Sequence, residues 1–88
     1  MATYTVTILP SALRRLAEFP RHDQKRIKER IDGLAGDPRP PGVKKLKGEP
    51  DLFRFRSGNY RIIYSVEDVR LNVLVIRIGH RRDVYRGL

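Results

Sequence analysis

Two arginines, Arg54 and Arg56, alternate with two phenylalanines, Phe53 and Phe55, and a third arginine, Arg61, follows just past Ser57-Gly58-Asn59. Successive side chains of a strand point to opposite faces, so a strand here puts both guanidiniums on one face and both rings on the other. The chain closes in Gly79-His80-Arg81-Arg82-Asp83-Val84-Tyr85. A small sheet that buries one face and lines the other with arginine, one histidine and one tyrosine is equipped to hold a phosphodiester. Guanidinium forks grip phosphate oxygens in pairs and keep their charge, and an aromatic ring can stack a splayed base.

Other chemistries find little support. Metal catalysis needs clustered carboxylate or histidine ligands, and the acids here are scattered singly apart from Glu67-Asp68. There is no Ser/His/Asp arrangement and no phosphate-cradling glycine loop, and no cofactor is implied. What remains is charge stabilisation with weak proton transfer. In RNA the 2′-OH attacks its own neighbouring phosphate, so a catalyst need only orient the ribose, neutralise the phosphorane and move two protons. Metal-free RNA cleavage fits these residues, and non-catalytic RNA binding fits them equally.

Each candidate also has a plain structural reading. An exposed sheet face is often charged because it is wet. Arg14, Arg15, Lys25, Arg26, Lys28 and Arg30 lie opposite helical apolar stripes, where a solvated face is the default. His22 caps or decorates a helix, a lone histidine such as His80 is more often structural than catalytic, and Tyr85 could plug a sheet edge.

The elements that must position these side chains are legible in the periods. Tyr4, Val6 and Ile8 alternate with Thr5 and Thr7 as a half-buried strand. Pro10-Ser11 starts a helix with Ala12, Leu13, Leu16 and Phe19 as its stripe. A second helix runs from His22 or Asp23 to Leu34 or Ala35, with Ile27, Ile31 and Leu34 inward, and stops at Gly36 and Asp37-Pro38. So short a connection makes the pair an antiparallel hairpin. Residues 37–50, rich in proline and carrying Lys44, Lys45 and Lys47, read as an exposed loop. Strands follow at Leu52–Arg56, Tyr60–Val66 and Leu71–Ile78, joined by hairpin turns. In Tyr60–Tyr64 one alternating set should be core. The expectation is one α+β domain over residues 1–88, β-α-α-β-β-β, a helical hairpin on a mainly antiparallel four-stranded sheet.

Composition narrows the partners. Nineteen Lys+Arg against ten Asp+Glu give a net charge of +9 on 88 residues, which attracts phosphate polymers, anionic membranes or acidic proteins. No apolar run reaches the length of a membrane span, and no signal-peptide pattern is present. Cysteine is absent, which suits a cytoplasmic protein and removes disulfides and thiolate–zinc sites.

Leu46-Lys47-Gly48, Phe53-Arg54-Phe55-Arg56, Gly58-Asn59-Tyr60-Arg61-Ile62-Ile63-Tyr64 and Gly79-His80-Arg81-Arg82-Asp83-Val84-Tyr85 together resemble the RelE branch of the RelE/ParE toxins. These are the toxic halves of type II toxin–antitoxin systems, and the likeness spans essentially the whole chain. It implies a fold related to microbial ribonucleases and cleavage of messenger RNA on the ribosome. By that resemblance Arg61 and Arg81 contact phosphate, Arg81 donates a proton to the leaving oxygen, and Tyr85 stacks on the scissile nucleotide. Arg54 and Arg56 stand where the best-studied branch has lysines, one of them the proposed general base. Arginine is a poor base. The expected catalytic set is therefore Arg56, Arg61, His80, Arg81 and Tyr85, with His80 or a ribosomal group taking the 2′ proton. Lys44, Lys45, Lys47, Arg54 and Arg82 make up the wider phosphate-binding set. The implied partners are the ribosome, mRNA and an acidic RelB-like antitoxin forming a hetero-oligomer that reaches operator DNA only through the antitoxin. ParE-type toxins, which share the scaffold and poison DNA gyrase, are the alternative, beside a non-catalytic basic RNA-binding domain.

Overall fold

Alternation and helical stripes of the kind read above become seven elements in the computed structural model, which describes residues 3–49 and 51–80. They are β1 (Thr5–Ile8), α1 (Pro10–Ala17), α2 (Arg21–Gly33), β2 (Lys44–Lys45), β3 (Leu52–Ser57), β4 (Tyr60–Glu67) and β5 (Asn72–His80). The sheet has five strands in the order β1-β5-β4-β3-β2. Only the β1–β5 pair is parallel, and the long stretch of chain between these two strands meets the need of a parallel pair for more than a tight turn. The fold is α+β, with the helices over one face.

Several local expectations are corrected. The sheet gains a fifth strand because Lys44 and Lys45 pair with Arg54 and Phe53 inside the stretch read as loop. Two exposed residues are too short a run to show a period. Pro10 is the first residue of α1, but the cap is Leu9 without a side-chain hydrogen bond, so Ser11 does not cap. Pro20 caps α2, which begins at Arg21 and ends at Gly33, each within a residue or two of expectation. Gln24 closes the hairpin by donating to the Phe19 carbonyl at 2.7 Å. Leu13 is half exposed, on the flank of the stripe that Ala12 and Leu16 bury.

The core lies between the helices and one face of the sheet. Ile27, Ile31 and Leu34 of the α2 stripe meet Phe53 and Phe55, Tyr60, Ile62, Tyr64 and Val66, and Val73, Val75 and Ile78. Truncating one of the fully buried isoleucines would cost about 2–5 kcal/mol. Ile63 is also fully buried, although it points to the opposite face and stands outside this cluster. The long stems of its cross-strand neighbours Arg54 and Arg77 flank it.

A bulge in β5 sets which face its end presents. Ile63 pairs with Arg77 but Tyr64 pairs with Val75, so Ile76 is an extra residue. Before the bulge Val73 and Val75 face the helices; after it Ile78 and His80 do, and Arg77 and Gly79 face outward. A one-residue slip flips every later side chain.

The proline-rich loop is pinned at two places. The buried Tyr64 hydroxyl donates to the Pro38 carbonyl at 2.7 Å. Arg39 lies 5.1 Å over the Phe53 ring and grips Asp68 with both terminal nitrogens, while the Tyr4 hydroxyl donates to the same carboxylate at 2.6 Å. Burial pushes the Tyr64 phenol up from 10.0 to about 12. The unfolded chain ionises this group near its ordinary value while the folded chain holds the proton. Its stabilising contribution is thus complete below pH 10 and lost as pH rises from 10 towards 12. Tyr64→Phe, which orphans the Pro38 carbonyl, should cost about 1–3 kcal/mol at neutral pH. Denaturant titrations at stepped alkaline pH should show the wild-type decline above pH 10 flattened in this variant.

Candidate nucleic-acid interface

The outward face of the sheet carries two adjacent rows of cations. Lys44, Arg54, Ile63 and Arg77 form one row across β2, β3, β4 and β5, and Arg56, Arg61 and Gly79 form the next. Ser57 and Tyr60 flank the two-residue turn Gly58-Asn59, so they are a hydrogen-bonded pair and the pattern alternates from there. Gly58 has φ +60, which suits glycine. Arg56 and Arg61 are therefore a non-hydrogen-bonded pair, whose Cα atoms approach to about 4.5 Å and whose side chains stand closest. Gly79 adds no side chain beside Arg61.

These residues open onto a cleft of about 370 Å³ lined by Arg30, Gly42, Lys44, Arg54, Phe55, Arg56 and Arg61. Five of the seven are cations, and no acid lines the cleft among the described residues. Such a concentration of fixed positive charge with forked donors has the chemistry to hold backbone phosphate.

The expected residues divide. Lys44, Arg54, Arg56 and Arg61 come together. Lys45 pairs with Phe53, which puts it on the helix side, and with Lys47 it lines a separate depression beside Leu46, Gly48 and Glu49. His80 corrects the expectation that the histidine lines the arginine face. It pairs with Tyr60, its ring centroid is 5.0 Å from that of Tyr60 and 6.1 Å from that of Phe19, and all three are on the helix side. The bulge at Ile76 is the reason. Arg81, Arg82 and Tyr85 lie outside the described residues.

Arg30, read as part of a solvated helix face, belongs to the cleft. It follows Ile27 by three positions and precedes Ile31, so it flanks the buried stripe, a signal the sequence did offer. A second tie joins α2 to the same hairpin. The Tyr60 hydroxyl donates to Asp23 at 3.1 Å, and Arg26 binds that carboxylate at 2.8 Å. Burial, then the Asp23 hydrogen bond, raise the Tyr60 phenol above its ordinary value.

The chain resembles proteins of one kind. A family model described as the ParE toxin of the type II toxin–antitoxin system parDE matches residues 6–85. Toxin RelG of Mycobacterium tuberculosis is 31% identical over 84 residues, covering 94% of this chain and 97% of that protein. The mRNA interferase toxin RelE of Escherichia coli is 33% identical over 66 residues, 70% of this chain and 68% of that one. Among solved structures, the archaeal RelE–RelB complex from Pyrococcus horikoshii contains a chain that superimposes with a TM-score of 0.82. That chain is 32% identical, and the match covers 92% of this chain and 98% of that one.

Like charges facing each other across strands destabilise a sheet by about 0.2–1 kcal/mol per pair. Arg56→Thr, which removes one such charge and suits a strand, should therefore raise the unfolding free energy by about that amount. Added salt should stabilise the wild type more than the variant. The same substitution should weaken binding of single-stranded RNA and reduce its salt slope by about 0.7, as loss of one phosphate contact does. Urea melts and fluorescence titrations at several salt concentrations measure both.

Proposed function

The chain belongs to the RelE/ParE superfamily as a RelE-branch toxin of a type II toxin–antitoxin system, and from that premise we propose that it is a ribonuclease acting on translated mRNA. The observation that carries the proposal is the Arg56–Arg61 pair in a cleft whose described lining is rich in cations and free of acids. A 2′-OH attacking its own phosphate spreads negative charge over a pentacoordinate phosphorane. Preorganised guanidiniums stabilise that charge more than the ground state. Arg81, by the resemblance, returns a proton to the leaving 5′ oxygen, and Tyr85 stacks the scissile nucleotide.

The 2′ proton needs an acceptor. No carboxylate or imidazole lines the cleft among the described residues, and His80 faces the helix side. This supports a group of the ribosome as the base and makes cleavage depend on it. The chain then works in the cytoplasm, and the described residues hold no helix long and apolar enough to cross a membrane.

The partner that silences the toxin is proposed to be an acidic antitoxin, in keeping with the RelE–RelB complex named above. Because the matching family model is that of a ParE toxin, the gyrase poisoning that the resemblance attributes to ParE-type toxins stays as the second reading.

Induction without antitoxin should stop growth and produce new 5′-hydroxyl ends within translated messages. Intact messages together with gyrase-linked DNA breaks would move the assignment to ParE. Arg61→Ala and Arg81→Ala should each lose about 2–4 kcal/mol of transition-state stabilisation, read as a drop of orders of magnitude in single-turnover cleavage on ribosomes. His80→Gln should leave that rate unchanged; a pH profile shifted or abolished in the variant would restore His80 as the base.

Co-expression of the adjacent open reading frame should relieve toxicity. Its product should co-purify as a hetero-oligomer whose association slows steeply with salt. A neighbour that neither binds nor protects would remove the antitoxin proposal.

A further inference from the structure

β3 is left open on one side just where its functional arginine sits. Even-numbered residues of β3 direct their backbone groups towards β2, as the bond from Leu46 N–H to the Leu52 carbonyl shows. β2 pairs only as far as Arg54, so the Arg56 carbonyl points past its end. An unpaired edge carbonyl leaves the strand end free to fray and twist. Here Arg30 reaches across from α2, its guanidinium carbon 4.4 Å over the Phe55 ring, and donates through Nη1 to the Arg56 carbonyl at 2.5 Å.

We infer that Arg30 is a positioning residue for the cleft: it takes the place of the missing strand and fixes the end of β3 so that Arg56 stays opposite Arg61. The need is physical. Two guanidiniums in a close non-hydrogen-bonded register repel each other, and the strand end carrying one of them would relax outward unless its backbone were held. A side chain that both stacks on the core and bonds the backbone provides that hold. Arginine suits the task because its plane lies on an aromatic face while its edge donates. The inference rests on the proposal that the cleft binds RNA phosphate, and goes beyond it by assigning a role to a helix residue.

The test is a double-mutant cycle between Arg30→Met, which keeps an apolar stem over Phe55 but has no donor, and Arg56→Ala. At saturating RNA, Arg30→Met should slow single-turnover cleavage on ribosomes about ten- to a hundredfold, as slight misplacement of a catalytic group does. The RNA concentration for half-maximal rate should change less than about threefold. In the Arg56→Ala background Arg30→Met should add almost nothing, and Arg30→Lys, which still donates, should restore most of the rate. A weakened affinity at unchanged rate, or full additivity with Arg56→Ala, would overturn positioning in favour of a direct charge contact or a general effect on folding.

A second measurement separates this inference from the ribonuclease reading. Nitrogen-15 relaxation of the Arg56 side-chain N–H should show its order falling in Arg30→Met whether or not the protein cleaves RNA. If Arg56 loses order but the wild type never cuts RNA, positioning stands and the ribonuclease reading falls. If Arg56 keeps its order, positioning is wrong even in an active enzyme.

Discussion

Arg56 stands opposite Arg61 and Lys44 opposite Arg54, so four cations crowd one end of a small sheet. Each like pair costs about 0.2–1 kcal/mol, and a single hairpin could not hold them. What holds them is the other side of the same strands. Phe55, Ile62 and Ile78 form a continuous row beneath Arg56 and Arg61, and each buried side chain contributes about 1.5–3 kcal/mol. The apolar term wins by a wide margin. The site is thus a repulsive upper surface clamped by an attractive lower one, which is why its residues come from central strands and not from a loop.

The distribution of acids completes that arrangement. Arg15 pairs with Glu18, Arg26 with Asp23, Lys28 with Asp32, Arg39 with Asp68 and Arg70 with Glu67, all away from the cleft. The four pairs other than Arg26–Asp23, whose carboxylate is buried, are exposed and contribute little stability each, so their placement matters more than their energy. Arg39, then Tyr4, hold the Asp68 carboxyl below its ordinary value through hydrogen bonds. They thereby anchor the loop that leads to Gly42 and Lys44. Five cations line the cleft, where the described lining provides no acid to quench them.

Much of this was legible in the sequence, because alternation and helical stripes are signals of period. Arg54 and Arg56 sharing a face, the core stripe of α2 and the tight turn at Gly58 all follow from spacing alone. Features without a period were hidden. The β5 bulge inserts Ile76 with no composition cue, and it turns His80 to the face opposite the one expected. The two-residue β2 is too short to alternate, and its pairing depends on β3 lying beside it. Arg30 is exposed, as a solvated helix flank should be, but its reach to the edge of β3 becomes visible only once the helix is docked. Arg81, Arg82 and Tyr85 rest on the resemblance, since they lie outside the described residues.

A cleft built from arginine has a consequence for how such a toxin could be controlled. Guanidinium charge does not respond to physiological pH, so the described lining offers no simple titration switch. On the proposed reading, control must come from what occupies the face or what completes the chemistry. An acidic antitoxin would neutralise the rows of cations without disturbing the core that presents them, because the repulsion is confined to one surface. The ribosome would supply both a positioned message and a proton acceptor that the described lining lacks. On that reading, a cleft whose described lining stabilises charge but brings no base would cut RNA where that base is provided, which would tie toxicity to translation.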